Sequence, residues 1–320
     1  MKNYKPILIV AGEPNSVFVE ILIKSLKKKK IKSPIILIIS IKIFELQTSN
    51  LKLKYPFQIL KEKDIFKKKI DNKKLNIINI NYNTTKPFQK ISDKSNKYIK
   101  ESFELALRIL KTGFTNKFIN GPISKKTFLN NKFLGITEYL ANKTKSKNHA
   151  MLIYNKNLSV CPITTHLPIK LVTKNISKKL IIKKILLVND FYVRHFNLKP
   201  KIAITGLNPH CESINNFDED QNIIKPAITY LKKKIDITGP IAADTAFIKS
   251  NRKKFDLIFG IYHDQVLAPI KTLFEYNATN ITIGLPFLRL SPDHGPNESM
   301  MGKNLSNPQS LIMTIKFLDH

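Results

Sequence analysis

The feature that most constrains this chain is an alternation. Short, wholly apolar runs are separated by longer segments whose apolar residues recur at helical spacing. Ile7 to Ala11 and Ile35 to Ser40 read as buried strands, with a helix over Val17 to Leu26 between them. Residues 41–95 give one clear strand, Leu75 to Ile80. Tyr98, Phe103, Leu107 and Leu110 then mark a helix over Lys94 to Leu110, with Gly113 placed as its C-terminal stop. Lys117 to Asn120 reads as a strand, as do Met151 to Tyr154, Leu158 to Thr164, Ile202 to Thr205, Leu257 to Tyr262 and Asn280 to Gly284. Further helices are expected over Ile176 to Phe196, Asp218 to Lys233 and Gln309 to Phe317. Runs buried on both faces, alternating with helices, predict an α/β fold with a largely parallel sheet. There is no repeat, no Gly/Ser linker and no composition shift to mark an internal boundary.

Several function classes are excluded at this level. Hydrophobic residues make up 42% of the 320, too many for a disordered chain. No apolar run approaches the ~18 residues of a membrane span. The apolar stretch after Lys2 and Lys5 ends at Gly12-Glu13-Pro14, before a signal-peptide core could form, so a cytoplasmic protein is expected. Cys161 and Cys211 do not make a disulfide framework; they read as small buried residues, with Cys211 a minor metal-ligand candidate because it follows His210. The net charge of +31 invites a nucleic-acid reading, but only four of the 54 basic residues are arginine: Arg108, Arg194, Arg252 and Arg289. Nucleic-acid surfaces favour arginine for its planar fork, and lysine here is spread along the whole chain. The charge is read instead as a means of drawing in small anions.

The histidines carry the first functional signal. His166 follows the apolar run ending at Thr165, His210 follows Ile202 to Thr205, His263 follows Leu257 to Tyr262, and His294 lies a short turn beyond Asn280 to Gly284. Each falls past the carboxyl end of an expected strand, which is where open α/β sheets bind ligands. Three converging imidazoles would hold zinc or a similar divalent ion and leave a position open for substrate. Asp264 and Gln265 follow His263, and Lys271, Asn280 and Arg289 come soon after. With Thr137, these cations can form an anion pocket. Asp244, among Ala242, Ala243 and Thr245, reads either as a carboxylate pressed against a site or as a helix N-cap.

In order and spacing, eight segments resemble those of the 4-hydroxythreonine-4-phosphate dehydrogenase family. They are Gly12-Glu13-Pro14, Asn120 to Lys125, Thr164 to Pro168, Gly206 to His210, Ala243-Asp244-Thr245, Tyr262 to Gln265, Gly284 to Arg289 and Asp293-His294-Gly295. The resemblance implies an isocitrate/isopropylmalate dehydrogenase-like α/β fold: one catalytic unit over residues 1–320, made of two intertwined subdomains that share an extended mixed sheet. It implies a homodimer with the site near the interface, one divalent ion (zinc, magnesium or cobalt) and NAD or NADP. His166, His210 and His263 would be the metal ligands, drawn from both chains. Ile136, Thr137, Lys271, Asn280 and Arg289 fall on substrate-binding positions. Gly284, Leu285, Asp293 and His294 would lie near the dinucleotide, although no Gly-x-Gly-x-x-Gly fingerprint is present. For the general base, Asp244 and a water on the metal are the candidates.

The family reaction oxidises 4-phosphooxy-L-threonine to 2-amino-3-oxo-4-phosphooxybutanoate, which decarboxylates to 3-amino-2-oxopropyl phosphate in pyridoxal phosphate biosynthesis. Two departures bear on substrate. The family has Gly-His-Thr-Glu where this chain has Gly135-Ile136-Thr137-Glu138, and a Gly-rich stretch where it has Asn15-Ser16-Val17-Phe18. Isoleucine cannot supply the hydrogen bonds of the missing imidazole. The alternative is therefore a paralogue acting on 4-phosphoerythronate or threonate 4-phosphate. A three-histidine zinc hydrolase and a basic nucleic-acid-binding protein are the rivals from other classes.

Overall fold

The computed structural model describes residues 4–28, 30–66, 70–130, 132–214, 217–292 and 295–319. The chain divides into two compact units: residues 1–136 with 286–320, and residues 137–285.

The first unit is built on β1 (Ile7–Val10), β2 (Ile35–Ile39), β3 (Phe57–Ile59), β4 (Leu75–Asn79), β5 (Lys117–Asn120) and β12 (Leu288–Ser291). They lie in the order β3-β4-β2-β1-β5-β12, and every pairing is parallel. All four residues of β1 are fully buried, so both faces of this sheet are covered. Helix α3 (Asn96–Lys111) packs on β1 and β2, while α1 (Phe18–Lys28) packs on α2 (Ile41–Asn50) and on α11 (Gln309–Leu318). Gly113 follows the α3 C-cap at φ +75°, the left-handed stop its sequence position implies.

In the second unit the order is β11-β6-β7-β10-β8-β9, from β6 (Ala150–Tyr154), β7 (Ser159–Pro162), β8 (Ile202–Thr205), β9 (Ile237–Ile241), β10 (Leu257–Gly260) and β11 (Thr279–Ile283). β6 runs antiparallel to both β11 and β7, and β7, β10, β8 and β9 are mutually parallel. Its helices are α4 (Ile136–Lys143), α5 (Val172–Asn175), α6 (Lys178–Phe196), α7 (Lys225–Leu231), α8 (Ala243–Ala246), α9 (Lys249–Arg252) and α10 (His263–Phe274). A core of Met151, Val160, Ala203, Ile258, Val266 and Ile270 joins α10 to the strands. Among the described residues, no helix is long and apolar enough to cross a membrane.

Differences from the sequence expectation have local causes. The helix expected from Ile176 begins at Lys178, because Ser177 accepts the Leu180 N–H as a cap and Ile176 is extended. The single helix expected over Asp218 to Lys233 is a wide turn at Asp220–Ile224 followed by α7, since Pro226 has no N–H to donate back into the turn. Strand β9, absent from the expected strands, contains Gly239-Pro240; it lies at the sheet edge, where proline is tolerated. The strand β12 intervenes between β11 and residues 293–294, so His294 does not follow directly on the strand at Asn280; His294 and Asp293 lie outside the described residues.

Candidate active site

Pairing of parallel strands decides which loops meet. β7 and β10 are in register from Ser159–Leu257 to Pro162–Gly260. Beyond them Ile163 N donates to Gly260 O (2.7 Å), and Thr164 donates to Ile261 O through both N (3.1 Å) and Oγ1 (2.8 Å). The pairing thus runs on past both strands and brings His166 against His263, with ring centroids 5.7 Å apart. β8 flanks β10 on its other side, so the His210 turn starts from the next carboxyl end in the row.

Two imidazoles lie beside carboxylates. His263 is the first residue of α10, and its Nδ1 lies 2.6 Å from Asp264 Oδ1. His166 Nδ1 lies 3.5 Å from Glu138 Oε1 on α4. The His263 contact occupies Nδ1 and leaves Nε2 for a ligand, the arrangement usual for metal-binding histidines, whereas the His166 contact is at an ion-pair distance and is not a hydrogen bond. Burial alone would raise the Glu138 carboxyl; the adjacent His166 imidazole outweighs it and holds the group at about 2. Among the described residues, Glu138 Oε2, His149 Nδ1, His166 Nδ1 and Asn280 Oδ1 are buried with no hydrogen-bond partner. Polar atoms left this way are costly unless something else satisfies them.

His210 sits in the exposed turn Pro209–Cys211, where His210 (φ 55°) and Cys211 (φ 65°) are both left-handed. Two consecutive non-glycine residues in that region cost roughly 1–3 kcal/mol each and persist only where neighbours enforce them. The enforcing group is the fully buried Asp220, whose carboxylate accepts from Leu207 N (2.8 Å), Asn208 N (3.0 Å) and Asn208 Nδ2 (3.1 Å). Among the described residues of one chain, no three His, Cys, Asp or Glu side chains form a metal-holding group. The fold therefore brings two of the three expected histidines together and sets the third on the adjacent strand end.

The other expected residues are placed as follows. Ile136 is the half-buried first residue of α4, and Thr137 Oγ1, buried, is 3.5 Å from Thr282 Oγ1 on β11. Asn280 is on β11 and Lys271 on α10, both half-buried. Arg289, in the first unit on β12, is 1% exposed and donates from Nε to Asn120 Oδ1 at 2.7 Å. Asp244 is exposed within α8; the N-cap of that helix is Ala242, so the capping role does not hold. Gly284 (φ +93°) is pressed on Asn148 O, so close packing already requires glycine there, and Leu285 beside it is half-buried. Sequence reasoning missed Lys184 on α6, whose ammonium burial holds below its ordinary range near Cys161 and Glu138. Its signal was a lysine three residues after Ile181 and four before Val188, inside the buried stripe of that helix.

Parallel strands that gather imidazoles and carboxylates at their carboxyl ends define an α/β protein with a ligand site beyond the sheet. The sequence model of the family described as pyridoxal phosphate biosynthetic protein PdxA matches residues 30–318, and the chain belongs to that family. A 4-hydroxythreonine-4-phosphate dehydrogenase of Sulfurihydrogenibium sp. is 45% identical over 200 residues, covering 61% of this chain and 62% of that protein. The chain thus spans under two thirds of the length of the first curated relatives it matches. A D-threonate 4-phosphate dehydrogenase of Salmonella typhimurium is 33% identical over 222 residues, covering 68% of this chain and 67% of that one. The solved 4-hydroxythreonine-4-phosphate dehydrogenase of Klebsiella pneumoniae has the same fold, with a TM-score of 0.85 at 26% identity over 99% of this chain and 98% of that one.

Proposed function

We propose that this chain is a divalent-metal-dependent, NAD(P)-linked dehydrogenase that oxidises 4-phosphooxy-L-threonine at C3. The product, 2-amino-3-oxo-4-phosphooxybutanoate, then decarboxylates to 3-amino-2-oxopropyl phosphate. The observation that carries this reading is the meeting of His166 and His263, each with Nδ1 turned to a carboxylate, beside the strand end that bears His210. Neutral imidazole donors of this kind suit zinc or cobalt better than magnesium, which prefers oxygen. In this reading the protein is a cytoplasmic homodimer, and His166, His210 and His263 from both copies complete the ligand set.

When bound, the cation supplies Lewis acidity toward the hydroxyl under oxidation and the carbonyl that replaces it. Asp264 holds His263 in the tautomer that offers Nε2. Thr137 and Asn280 supply hydrogen bonds to the substrate, and the buried Oδ1 of Asn280 has an acceptor to spare. Lys271 and Arg289 bind its phosphate, for which a guanidinium fork is well shaped. Asp244 is the protein candidate for the general base. The stretch through Gly284, Leu285, Asp293 and His294 is assigned to the dinucleotide.

The departure at Ile136, together with the Salmonella relative, favours one second reading: D-threonate 4-phosphate as the substrate. A panel of phosphorylated hydroxy acids, followed by nicotinamide absorbance with and without chelator, tests both. The expected result is metal-dependent reduction of NAD(P)+ with 4-phosphooxy-L-threonine. Preference for D-threonate 4-phosphate would transfer the assignment to the second reading, and turnover of neither would overturn both.

A further inference from the structure

Gln265 lies two residues beyond His263, and its side-chain amide is engaged at both ends. Oε1 accepts from Ile261 N at 2.6 Å and from Thr205 Oγ1 at 2.8 Å, and Nε2 donates to Gly206 O at 2.6 Å. Ile261 leads into α10, whereas Thr205 ends β8 and Gly206 opens the His210 turn. One side chain therefore ties the His263 segment to the His210 segment. Gly260 makes room for it, and Gly206 makes room for the Asp220 anchor. A Cβ on Gly260 would come within 3.2 Å of Gln265 Oε1, and one on Gly206 would meet Asp220 Oδ1 at 2.7 Å. Asp220 fixes the amides of Leu207 and Asn208 just beyond, so the strained turn is anchored on both sides of Gly206.

We infer that Gln265 is a positioning residue: its amide locks the starts of the His210 and His263 loops together and so fixes the relation of these two histidines before any ligand arrives. Neither glutamate nor methionine would do the same. Glutamate would keep the accepted bonds but turn an oxygen toward Gly206 O, and methionine would fill the space without hydrogen bonds. The role differs from that of Asp264, which orients a single ring. The hydrogen bonds that do this lie within one chain.

The inference rests on the reading of His210 and His263 as metal ligands. The test uses the full-length protein stripped of metal and titrated with Co2+, following the visible absorption of the bound ion. The proteins are the parent, Gln265→Met, Gln265→Glu, Thr205→Val and the controls His210→Ala and His263→Ala. Gln265→Met is expected to bind Co2+ ~10–100-fold more weakly, the range typical of groups that orient metal ligands, and with an altered visible band. Gln265→Glu should fall between it and the parent. Thr205→Val, which removes one bond at little change of shape, should shift affinity the same way and serves if Gln265→Met fails to fold. A loss of Tm with unchanged affinity and spectrum would mark a merely structural role and overturn the inference. If the two histidine variants also bind Co2+ as the parent does, the metal reading falls and takes this inference with it.

Discussion

Glu13 carries a carboxylate that the fold removes from water. It is 1% exposed and accepts from Asn15 N (3.1 Å) and Ser95 Oγ (2.9 Å). Burial pushes its pKa above the ordinary 4.5 by more than these hydrogen bonds lower it. An acid whose folded pKa is raised costs stability above that pKa, and the cost disappears once the pH falls below the unfolded value. Glu13→Gln should therefore raise Tm at neutral pH by about 2–4 °C for each ~1 kcal/mol recovered, with the gain vanishing near pH 4.5. Thermal melts of parent and variant across pH check this, and equal Tm at pH 7.5 would refute it. Ile136 poses a different question, since a residue with only apolar surface stands where the family has an imidazole. Ile136→His should raise kcat/KM for 4-phosphooxy-L-threonine by ~10-fold or more, if the added hydrogen bond to a charged group is worth ~1.5–3 kcal/mol. If D-threonate 4-phosphate is native, the same change should lower activity on that acid. Steady-state kinetics on both decide between them; no change on either would show that position 136 does not touch substrate.

At the scale of elements, the close approach of α10 to β10 is what places His263. A Cβ on Gly260 would lie 2.5 Å from Val266 Cγ1, and Val266 is wholly buried in the core shared with Val160 and Ile258. Gly260→Ala should force the start of α10 away from the strand and cost about 1–3 kcal/mol, as overpacking typically does. The urea midpoint should fall with an unchanged m-value. An unchanged midpoint would mean that α10 can shift freely, which would also weaken the case that His263 is rigidly placed. The cap on α6 behaves more simply: Ser177→Ala removes the acceptor for Leu180 N and should cost about 1 kcal/mol without touching the site.

The whole molecule carries a charge of +31, supplied almost entirely by lysine. Lysines dispersed along the chain create a long-range positive potential. For a doubly or triply charged substrate that potential should act on capture more than on chemistry. Raising ionic strength from a few millimolar to the physiological range shortens the screening length to about 8 Å. The expected outcome is a several-fold rise in KM for a phosphorylated substrate with kcat little changed. Salt-independent KM would show that the charge plays no part in capture.

How much could be read in advance follows the range of the forces involved. Lys117–Asn120 and Ile202–Thr205 were legible to the residue because a short apolar stretch, Phe118-Ile119 or Ile202 to Ile204, flanked by turn signals has one good use in an α/β chain. The placement of His166, His210 and His263 past strand ends was legible for the same reason, since it depends only on where each strand stops. What the sequence could not contain was strand order. That β10 lies between β7 and β8 is decided by packing across nearly a hundred residues of chain, and this alone brings His263 beside His166 and lets Gln265 reach Gly206. The left-handed turn at His210 was equally hidden, because its cause is the carboxylate of Asp220, which only the folded chain buries against Leu207 and Asn208. Local pattern determined the elements and the ends at which chemistry collects; tertiary pairing decided which of those ends meet.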